Sequence, residues 1–286
     1  MKLPIRTLEF IARHPLASRR RIAAFYRYAW WQTRSRLQTE IEFDWIEGSK
    51  LIVKHGMTGA TGNIYCGLHE FADMGFLLHL LQPGDVFIDV GANIGSYTIL
   101  ATAVCGSQAI AIEPDPNTME ALRRNIRANG KEGQVETVQA ALGAAPGVVR
   151  FTVGHDTTNR ISNRDDEPLQ SVPMLTLDSL AASKQPQLIK MDVEGFEAEV
   201  VAGASVTLKN SSLLAIITEN AEPRVRSAIE AAGFVEQVYD PYSRTLARPA
   251  TTQARASNNF LFVRDIDEVH SRISAAPKRN IVGVVF

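Results

Sequence analysis

The chain has 286 residues, of which 45% are hydrophobic and 21% are charged, as in globular proteins with one large domain or two small ones. The net charge of −1 gives no general attraction to nucleic acid. Two cysteines cannot form a disulfide scaffold, so a reducing cytoplasm is favoured over secretion. No run approaches the roughly 20 apolar residues of a membrane span, and the N-terminus lacks the apolar core of a signal peptide.

Positive charge is concentrated at the N-terminus. Residues 1–36 hold nine Lys and Arg residues against one acid, Glu9. Residues 18–37 are predicted to form a helix, because arginines there surround apolar residues at helical spacing: Ile22, Phe25, Tyr26, Ala29 and Trp30. Such a helix docks on the main domain or on a second copy in a homodimer, or it contacts an anionic membrane surface. Contact of this helix with nucleic acid is the least favoured interpretation.

A short segment of mixed structure follows this helix. Residues 42–55 and 61–66 predict two or three short strands, which would form a small antiparallel cover. Residues 69–85 predict a helix that is closed by the stop signal Pro83-Gly84.

Strands and helices alternate from Asp85 onward. Seven apolar runs are predicted as strands: residues 86–90, 108–113, 135–142, 187–193, 213–220, 234–240 and 258–264. Helices are predicted between them, from about residue 96 and at 116–130, 195–210 and 223–233. Residues 147–153 are predicted as a hairpin strand beside the third strand, and residues 156–172 as a polar loop. This alternation predicts an α/β fold with a mostly parallel seven-stranded sheet.

The same features predict four segments along the chain. These are a basic helical extension at 1–45, a small β/helix cover at 46–82, the α/β domain at 83–270 and a C-terminal tail at 271–286. The α/β domain is expected to hold the ligand, because ligands of such sheets bind beyond the C-terminal strand ends, where the strand order reverses.

The first strand-to-helix turn, IDVGANIGSYTIL, resembles a dinucleotide loop but has different glycines. A G-x-G-x-x-G pattern that starts at Gly91 would require glycine where Asn93 and Ser96 stand. The pattern here is D-x-G-x-x-x-G, formed by Asp89, Gly91 and Gly95. These glycines still allow a sharp turn and a close approach of the backbone to a ligand.

Carboxylates at the predicted strand ends indicate the charge of that ligand. Asp89 lies at the mouth of the turn, Glu113 ends the second strand and Asp192 ends the fourth. They would repel a pyrophosphate and attract an ammonium or a sulfonium. Glu113, about 20 residues past the loop, is placed to accept hydrogen bonds from both ribose hydroxyls. S-adenosylmethionine carries these groups and is the predicted cofactor.

Two segments, PGDVFIDVGANIGSYT and LIKMDVEGFEAEVVAGA, resemble the FkbM family of S-adenosylmethionine-dependent methyltransferases. The more specific mark is the D-x-E-G-x-E stretch of Asp192, Glu194, Gly195 and Glu197, and LTLDSL with Asp178 also matches. The resemblance extends over residues 56–263 and excludes the basic helix. It implies a class I methyltransferase (Rossmann-like) fold and O-methylation, often of sugars or polyketide-type metabolites.

The resemblance also implies roles for residues around the cofactor. Four loop residues would cradle the methionine part: Asp89, Gly91, Asn93 and Gly95. Glu113 would hold the ribose, and Gln139 and Ala140, at the end of the third strand, would border the adenine. A shorter amide or an acid is commoner at the position of Gln139, so this chain departs from the family pattern there.

Methyl transfer is an in-line displacement at carbon, in which the enzyme mainly aligns the acceptor with the methyl group. A sugar hydroxyl is a poor nucleophile at neutral pH, so a general base is expected. The candidates are Asp192 and Glu194 after the fourth strand, and His155 at the start of the polar loop. Glu194 and His155 also each have a non-catalytic interpretation. Glu194 would then only stabilise the dipole of the next helix, and His155 would be an ordinary loop residue.

Two further carboxylates are open to more than one interpretation. Glu219, at the end of the fifth strand, could complete a cluster with Asp192 and Glu194. Such a cluster can hold Mg²⁺, but no other ligand spacing supports a metal, so no metal site is predicted. Glu70, in the helix before the first strand, either closes over the methionine ammonium or lies at the surface.

The segment after the fourth strand distinguishes this chain from methyltransferases of nucleic-acid amines. Those enzymes resemble one another in an Asn- or Asp-Pro-Pro-aromatic element, whereas this chain reads DVEG, so a nucleic-acid acceptor is not expected. A non-catalytic binding protein would show a damaged cofactor loop or would lack the carboxylates. This chain keeps both, so a non-catalytic protein is disfavoured. The predicted function is O-methylation of a saccharide or of a glycolipid or glycan precursor, with tailoring of a small secondary metabolite as the alternative. The basic helix favours an acceptor made at the inner membrane face.

Overall fold

The structure is a computed structural model that describes residues 5–152, 169–181, 183–249 and 259–286. Its helices are α1 Ile5–Arg13, α2 Pro15–Arg19, α3 Arg21–Leu37, α4 Thr58–Cys66, α5 Phe71–Leu80, α6 Ser96–Ile99, α7 Pro116–Ala128, α8 Leu177–Ala181, α9 Glu197–Ala202, α10 Pro223–Ala231 and α11 Ile266–Ala275. Its strands are β1 Glu40–Asp44, β2 Lys50–Lys54, β3 Val86–Val90, β4 Gln108–Ile112, β5 Val135–Val138, β6 Ala141–Leu142, β7 Gly147–Thr152, β8 Leu169–Leu175, β9 Pro186–Met191, β10 Ala215–Thr218, β11 Val235–Asp240, β12 Thr245–Ala247, β13 Phe260–Val263, β14 Asn280–Ile281 and β15 Val284–Val285. A π-helical turn at Leu100–Val104 continues α6, and a 3-10 turn lies at Thr207–Lys209.

The largest sheet within the described ranges has eight strands in the order β12-β11-β13-β10-β9-β3-β4-β5. Strands β10, β9, β3, β4 and β5 are parallel, and β13 is antiparallel between β10 and β11. The mostly parallel α/β sheet is therefore confirmed. All seven predicted strands contribute to it, and the eighth is the three-residue edge strand β12.

The strand order reverses beside β3, which is where such a sheet binds its ligand. The chain continues from β3 to β4 and β5 on one side, and later reaches β9 and β10 on the other side. Val90 at the end of β3 pairs with Met191 at the end of β9. The loops that follow these two strands therefore lie next to each other.

The side chains of β3 alternate between two hydrophobic cores. Phe87 belongs to the core that includes the N-terminal helices, α5 and the C-terminus. Ile88 and Val90 belong to the core beneath α8, α9 and α10. A strand buried on both faces reads as a continuous apolar run, and Asp89 is the polar exception in β3. Because side chains alternate, Asp89 lies on the same face of the sheet as Phe87.

The region after β5 differs from its prediction. The predicted strand 135–142 is divided by a turn, in which the backbone N–H of Ala140 donates a hydrogen bond to the carbonyl oxygen of Val138. An apolar run in the sequence does not reveal such a turn. Strand β6 belongs to a separate sheet with the order β6-β8-β7, so β7 pairs with β8 and not with β5. Residues 169–172, predicted as loop, belong to β8. Residues 153–168, which include His155 and the preceding part of that loop, lie outside the described residues.

The prediction of a strand at residues 61–66 is wrong, whereas the predicted β1–β2 pair is confirmed. The segment belongs to α4, in which Ala60 and Ile64 are both buried one helical turn apart. Six residues are too short a window to separate the period of a helix from that of a strand. The helix ends at Cys66, and the following Gly67 adopts a φ of 88°.

Helix α3 forms within the predicted range, but a different face of it is buried. Its buried residues are Ala24, Trp31 and Ser35, whereas Ile22 and Tyr26 of the predicted apolar face are exposed. Trp31 and Phe286 share one hydrophobic core with Phe87 of the main sheet. The four-segment division remains a prediction. Among the described residues, no helix combines the length and apolar character that crossing a bilayer requires.

Candidate active site

The loop after β3 turns through three residues with positive φ. The φ angle is 78° at Gly91, 52° at Asn93 and 93° at Gly95. Gly91 donates its backbone N–H to the carbonyl oxygen of Ile112 at 3.0 Å. Asn93 is a residue type that tolerates this conformation, and its Oδ1 accepts the N–H of Ile94 at 2.7 Å. The loop is thus held in one shape between β3 and β4.

Asp89 is the charged group beneath this loop. Its carboxylate is 1% exposed and accepts a hydrogen bond from Thr98 Oγ1 at 2.6 Å. Burial raises the pKa of Asp89, and the Lys190 ammonium and the Thr98 hydroxyl oppose that shift. A cationic ligand at the loop would add a further favourable charge beside this carboxylate.

Glu113 joins the glycine loop to the start of α7. Its Oε2 accepts the N–H of Asn93 and its Oε1 accepts the N–H of Asp115, each at 3.0 Å. Burial raises the pKa of Glu113 to about 7, although the two N–H groups favour the ionised form. Each carboxylate oxygen has a second lone pair, so the group can still accept hydrogen bonds from a ligand.

Lys190 is a buried cation in the fourth predicted strand. Its Nζ donates to Asp192 Oδ2 at 2.8 Å and lies 4.7 Å from the centroid of the Tyr97 ring. Burial opposes the positive charge, but the carboxylates of Asp192, Glu70 and Asp89 outweigh it and hold the pKa of Lys190 above its usual range. The ammonium therefore stays protonated and fixes the position of Asp192.

Glu70 lies in the cavity wall and is not a detached surface residue. Its Oε2 accepts a hydrogen bond from the hydroxyl of Tyr97 at 2.8 Å, and its Oε1 accepts one from Asn259 Nδ2 at 2.9 Å. Burial and the nearby Glu70 carboxylate raise the pKa of Tyr97 well above its usual value, so Tyr97 acts as a neutral donor. Glu70 thus adds negative charge next to Lys190 and the glycine loop.

Three carboxylates meet where β9 and β10 end. Oxygens of Asp192, Glu194 and Glu219 all lie within 4.8 Å of one another. Burial and the adjacent Asp192 carboxylate raise the pKa of Glu219 to about 8. Burial also disfavours the ionised form of Asp192, but Lys190 outweighs it and lowers the pKa of Asp192. At neutral pH Glu219 therefore keeps its proton and hydrogen-bonds to the charged Asp192.

The charge of this carboxylate cluster is already partly compensated. Its oxygen atoms are ligands of the kind that Mg²⁺ prefers. However, the Lys190 ammonium and the proton on Glu219 reduce the net negative charge that would attract a cation. Glu194 is exposed and has a φ of 51°, a conformation that is costly for a residue with a side chain of this kind.

These groups line one cavity of about 360 Å³, a volume within the roughly 300–1,000 Å³ of ligand sites. The predicted site residues that line it are Asp89, Gly91, Asn93, Glu113, Ala140, Asp192 and Glu194. Gly95 and Gln139 are not lining residues: Gly95 precedes α6 within the turn, and Gln139 is half-buried after β5. His155 lies outside the described residues.

The cavity suits S-adenosylmethionine in charge and in shape. Asp89 and Glu113 supply carboxylates at one side of the loop, whereas a pyrophosphate would meet negative charge there. The absence of a side chain at Gly91 lets the loop pack directly against the backbone of Asp192, and Gly91 itself lines the cavity. The residues present therefore fit the predicted cofactor.

Sequence reasoning did not assign site roles to three residues of this cavity. Lys190 has a recognisable signal, because a lysine within an otherwise apolar strand requires a buried partner. Tyr97 and Asn63 have none, because their positions depend on how α6 and α4 pack around the loop. Asn63 donates from Nδ2 to Ser96 Oγ at 3.1 Å, which connects α4 to the start of α6.

Comparison with known proteins identifies similar methyltransferases. A family model described as the methyltransferase FkbM domain matches residues 89–236. The hexuronic acid methyltransferase AglP of Haloferax volcanii is 28% identical over 145 residues, which are 49% of this chain and 58% of that protein. The 31-O-demethyl-FK506 methyltransferase FkbM of Streptomyces tacrolimicus is 32% identical over 177 residues, which are 57% of this chain and 67% of that protein.

A part of this chain is also similar to a solved structure. The crystal structure of a precorrin-6y methyltransferase from Geobacter metallireducens has 14% sequence identity and a TM-score of 0.37, over 66% of this chain and 83% of that chain.

Proposed function

The chain belongs to the FkbM family of S-adenosylmethionine-dependent methyltransferases, which have the class I, Rossmann-like fold, and we propose that it methylates a hydroxyl of a saccharide or of a glycolipid or glycan precursor. The observation that carries this proposal is the carboxylate cluster of Asp192, Glu194 and Glu219, which lines the same cavity as the glycine loop. In this proposal a cofactor site and a proton-accepting site share one cavity.

When bound, S-adenosylmethionine supplies an activated methyl group. Asp89, Gly91 and Asn93 would hold its methionine part, and Glu113 would accept hydrogen bonds from its ribose hydroxyls. Ala140 would border the adenine, whereas Gln139 and Gly95 would act only through the shape of the adjacent backbone. Supporting this assignment, Glu113 already fixes the loop through the N–H of Asn93.

We propose that the carboxylates orient the acceptor hydroxyl and remove its proton. Lys190 keeps Asp192 charged, which favours Asp192 as the hydrogen-bond acceptor that orients the hydroxyl. Glu219, with a pKa of about 8, is the stronger base once it is ionised. Glu194 is exposed, as Glu219 is, and would contact the rest of the acceptor. His155 remains a candidate base from the sequence.

The alternative is the tailoring of a small secondary metabolite. The favouring observation is the FkbM relative of Streptomyces tacrolimicus, whose name gives 31-O-demethyl-FK506 as its substrate. The AglP relative, whose name specifies a hexuronic acid, favours the saccharide. We propose that nucleic acid is not an acceptor, since DVEG replaces the proline-aromatic element expected for base methylation.

The test uses methyl-labelled S-adenosylmethionine and an extract of the host, fractionated into glycan and glycolipid, nucleic acid, protein and small molecules. We expect label in the glycan and glycolipid fraction. Glu194→Asn should reduce it, because asparagine tolerates a positive φ but lacks the carboxylate that would contact the acceptor. Glu132→Asn, at an exposed turn, is the matched control and should retain the label. Label confined to small molecules would support metabolite tailoring, and label in nucleic acid or protein would overturn the acceptor class.

A further inference from the structure

Helix α3 presents apolar side chains to solvent along one face. Ile22 is 90% exposed, Tyr26 is 70% exposed and Leu37 is 79% exposed, and Phe25 is also exposed. Ile22, Phe25 and Tyr26 are spaced by three and four residues, so they lie together on one side of the helix. The opposite side is buried through Ala24 and Trp31. The helix is therefore packed on the protein and apolar toward solvent.

Positive charge surrounds this outward face of α3. Residues 5–37 contain eight arginines and a single acid, Glu9. Arg21, Arg34 and Arg36 are exposed on α3 itself. Arg21, Arg34 and Arg36 thus provide a cationic rim beside an apolar stripe, the composition of helices that lie in the headgroup region of a bilayer.

We infer that the outward face of α3 binds an anionic membrane surface. Apolar burial of Ile22, Phe25 and Tyr26 in the headgroup region and attraction of the arginines to anionic lipids act together. A second copy of this chain fits less well. An isologous dimer would bring the same arginine-rich face against itself, and like charges across an interface are unfavourable.

The helix need not leave the protein to make this contact. Arg27 Nε donates to the carbonyl oxygens of Ile64 and Tyr65 in α4, at 3.1 and 3.0 Å. Gln32 adds a hydrogen bond to the Tyr65 hydroxyl at 3.3 Å. These contacts hold α3 by the side that faces the protein, so the outward face is already formed for binding.

Membrane binding through α3 would bring the bilayer close to the active site. Helix α4, which receives the hydrogen bonds of Arg27, also lines the cavity through Ala60 and Asn63. Only one helix therefore separates α3 from the cofactor cavity on this side. An acceptor that carries a lipid chain would meet the enzyme at the surface where it resides. The membrane inference does not depend on the identity of that acceptor.

The test is co-sedimentation of the full chain with vesicles of phosphatidylcholine alone or mixed with phosphatidylglycerol. We expect binding only to the mixed vesicles, and its loss in high salt. Ile22→Gln/Tyr26→Gln should weaken binding about tenfold or more. Arg21→Gln and Arg36→Gln should each weaken it about fivefold. Val148→Gln and Arg224→Gln, at exposed positions outside α3, are the matched controls and should bind as the parent does.

Three outcomes would overturn the inference. These are equal binding to both vesicle types, no binding to either, and full binding by the Ile22→Gln/Tyr26→Gln variant. A dimer in sedimentation velocity that the same variant dissociates, without vesicle binding by the parent, would assign the face to a second copy instead. Cofactor binding is measured in every variant by calorimetry. Retained cofactor binding separates a failure of membrane contact from a failure of the proposed enzyme function.

Discussion

The Cα of Gly91 lies so close to the end of β9 that an added Cβ would be 1.9 Å from the carbonyl oxygen of Asp192. The φ of 78° at Gly91 adds a second requirement for glycine. One backbone contact thus positions the cofactor loop directly against the residue that begins the carboxylate cluster. Any change at Gly91 should be transmitted to both halves of the cavity.

Gly91→Ala should therefore abolish cofactor binding and lower stability. The substitution places Cβ against rigid backbone, so either the loop or Asp192 must move. Gly84→Ala is the matched control, because Gly84 also has a positive φ, of 89°, but no atom within 4 Å of an added Cβ. We expect the control to lose about 1–2 kcal/mol of unfolding free energy and to keep cofactor affinity. Urea denaturation and calorimetry measure both, and equal effects of the two variants would contradict the steric argument.

Glu113→Gln should weaken the binding of S-adenosylmethionine about 10- to 100-fold, the cost of losing hydrogen bonds to a charged acceptor. The amide NH₂ would also face one of the two N–H groups that Glu113 now accepts. Since the pKa of Glu113 is about 7, the affinity of the parent protein should fall as the pH drops below 7. Calorimetry between pH 6 and 8 tests this, with Glu132→Gln as control. A pH dependence that survives in Glu113→Gln would assign it to another group.

The central sheet could be predicted from the sequence because its strands are apolar runs bounded by turn residues. The cofactor loop could be predicted because its glycines and Asp89 are local features of one turn. The helix at Thr58–Cys66 could not, since its register becomes apparent only when Ala60 and Ile64 are buried. The sequence also could not predict which face of α3 is buried. Its apolar residues have helical spacing, but spacing does not tell which neighbour, if any, covers them.

The carboxylates that meet at the strand ends could be named from the sequence, but their protonation states could not. Asp192 and Glu194 stand out by their motif, and Glu219 by its place at a strand end. That Glu219 carries a proton while Asp192 stays charged depends on distances to Lys190 that only the folded chain defines. Charge states of close carboxylates follow from the three-dimensional arrangement, because each group shifts the pKa of the next.

Stability should decrease at acidic pH through His79. Its Nδ1 is hydrogen-bonded to the Tyr239 hydroxyl at 2.7 Å, and burial, followed by Arg244 and Arg279, lowers the pKa of His79 to about 3. The unfolded chain binds the proton near pH 6.5, so stability is lost as the pH falls below 6.5 toward the folded pKa. The loss is at most about 1.4 kcal/mol per pH unit for this group.

Urea denaturation between pH 7.5 and 5.5 measures that loss. His79→Phe cannot bind the proton in either state, so its unfolding free energy should fall less steeply with decreasing pH than that of the parent. The exposed His270→Phe is the control and should follow the parent. Parallel curves for the parent and His79→Phe would show that other groups cause the acid sensitivity.

The rate of methyl transfer should rise with pH up to about 8. Below that value Glu219 is protonated and cannot take the proton of the acceptor hydroxyl, so the rate at saturating cofactor should rise about tenfold per pH unit until it levels off above the pKa. Glu219→Gln should be slow and should lose this dependence. Lys190→Met removes the charge that keeps Asp192 ionised, and we expect it to shift the profile while leaving its shape intact. EDTA should leave the rate unchanged, because a proton and an ammonium compensate the carboxylates. A Glu219→Gln profile that coincides with that of the parent would exclude Glu219 as the base and return the role to Asp192, Glu194 or His155.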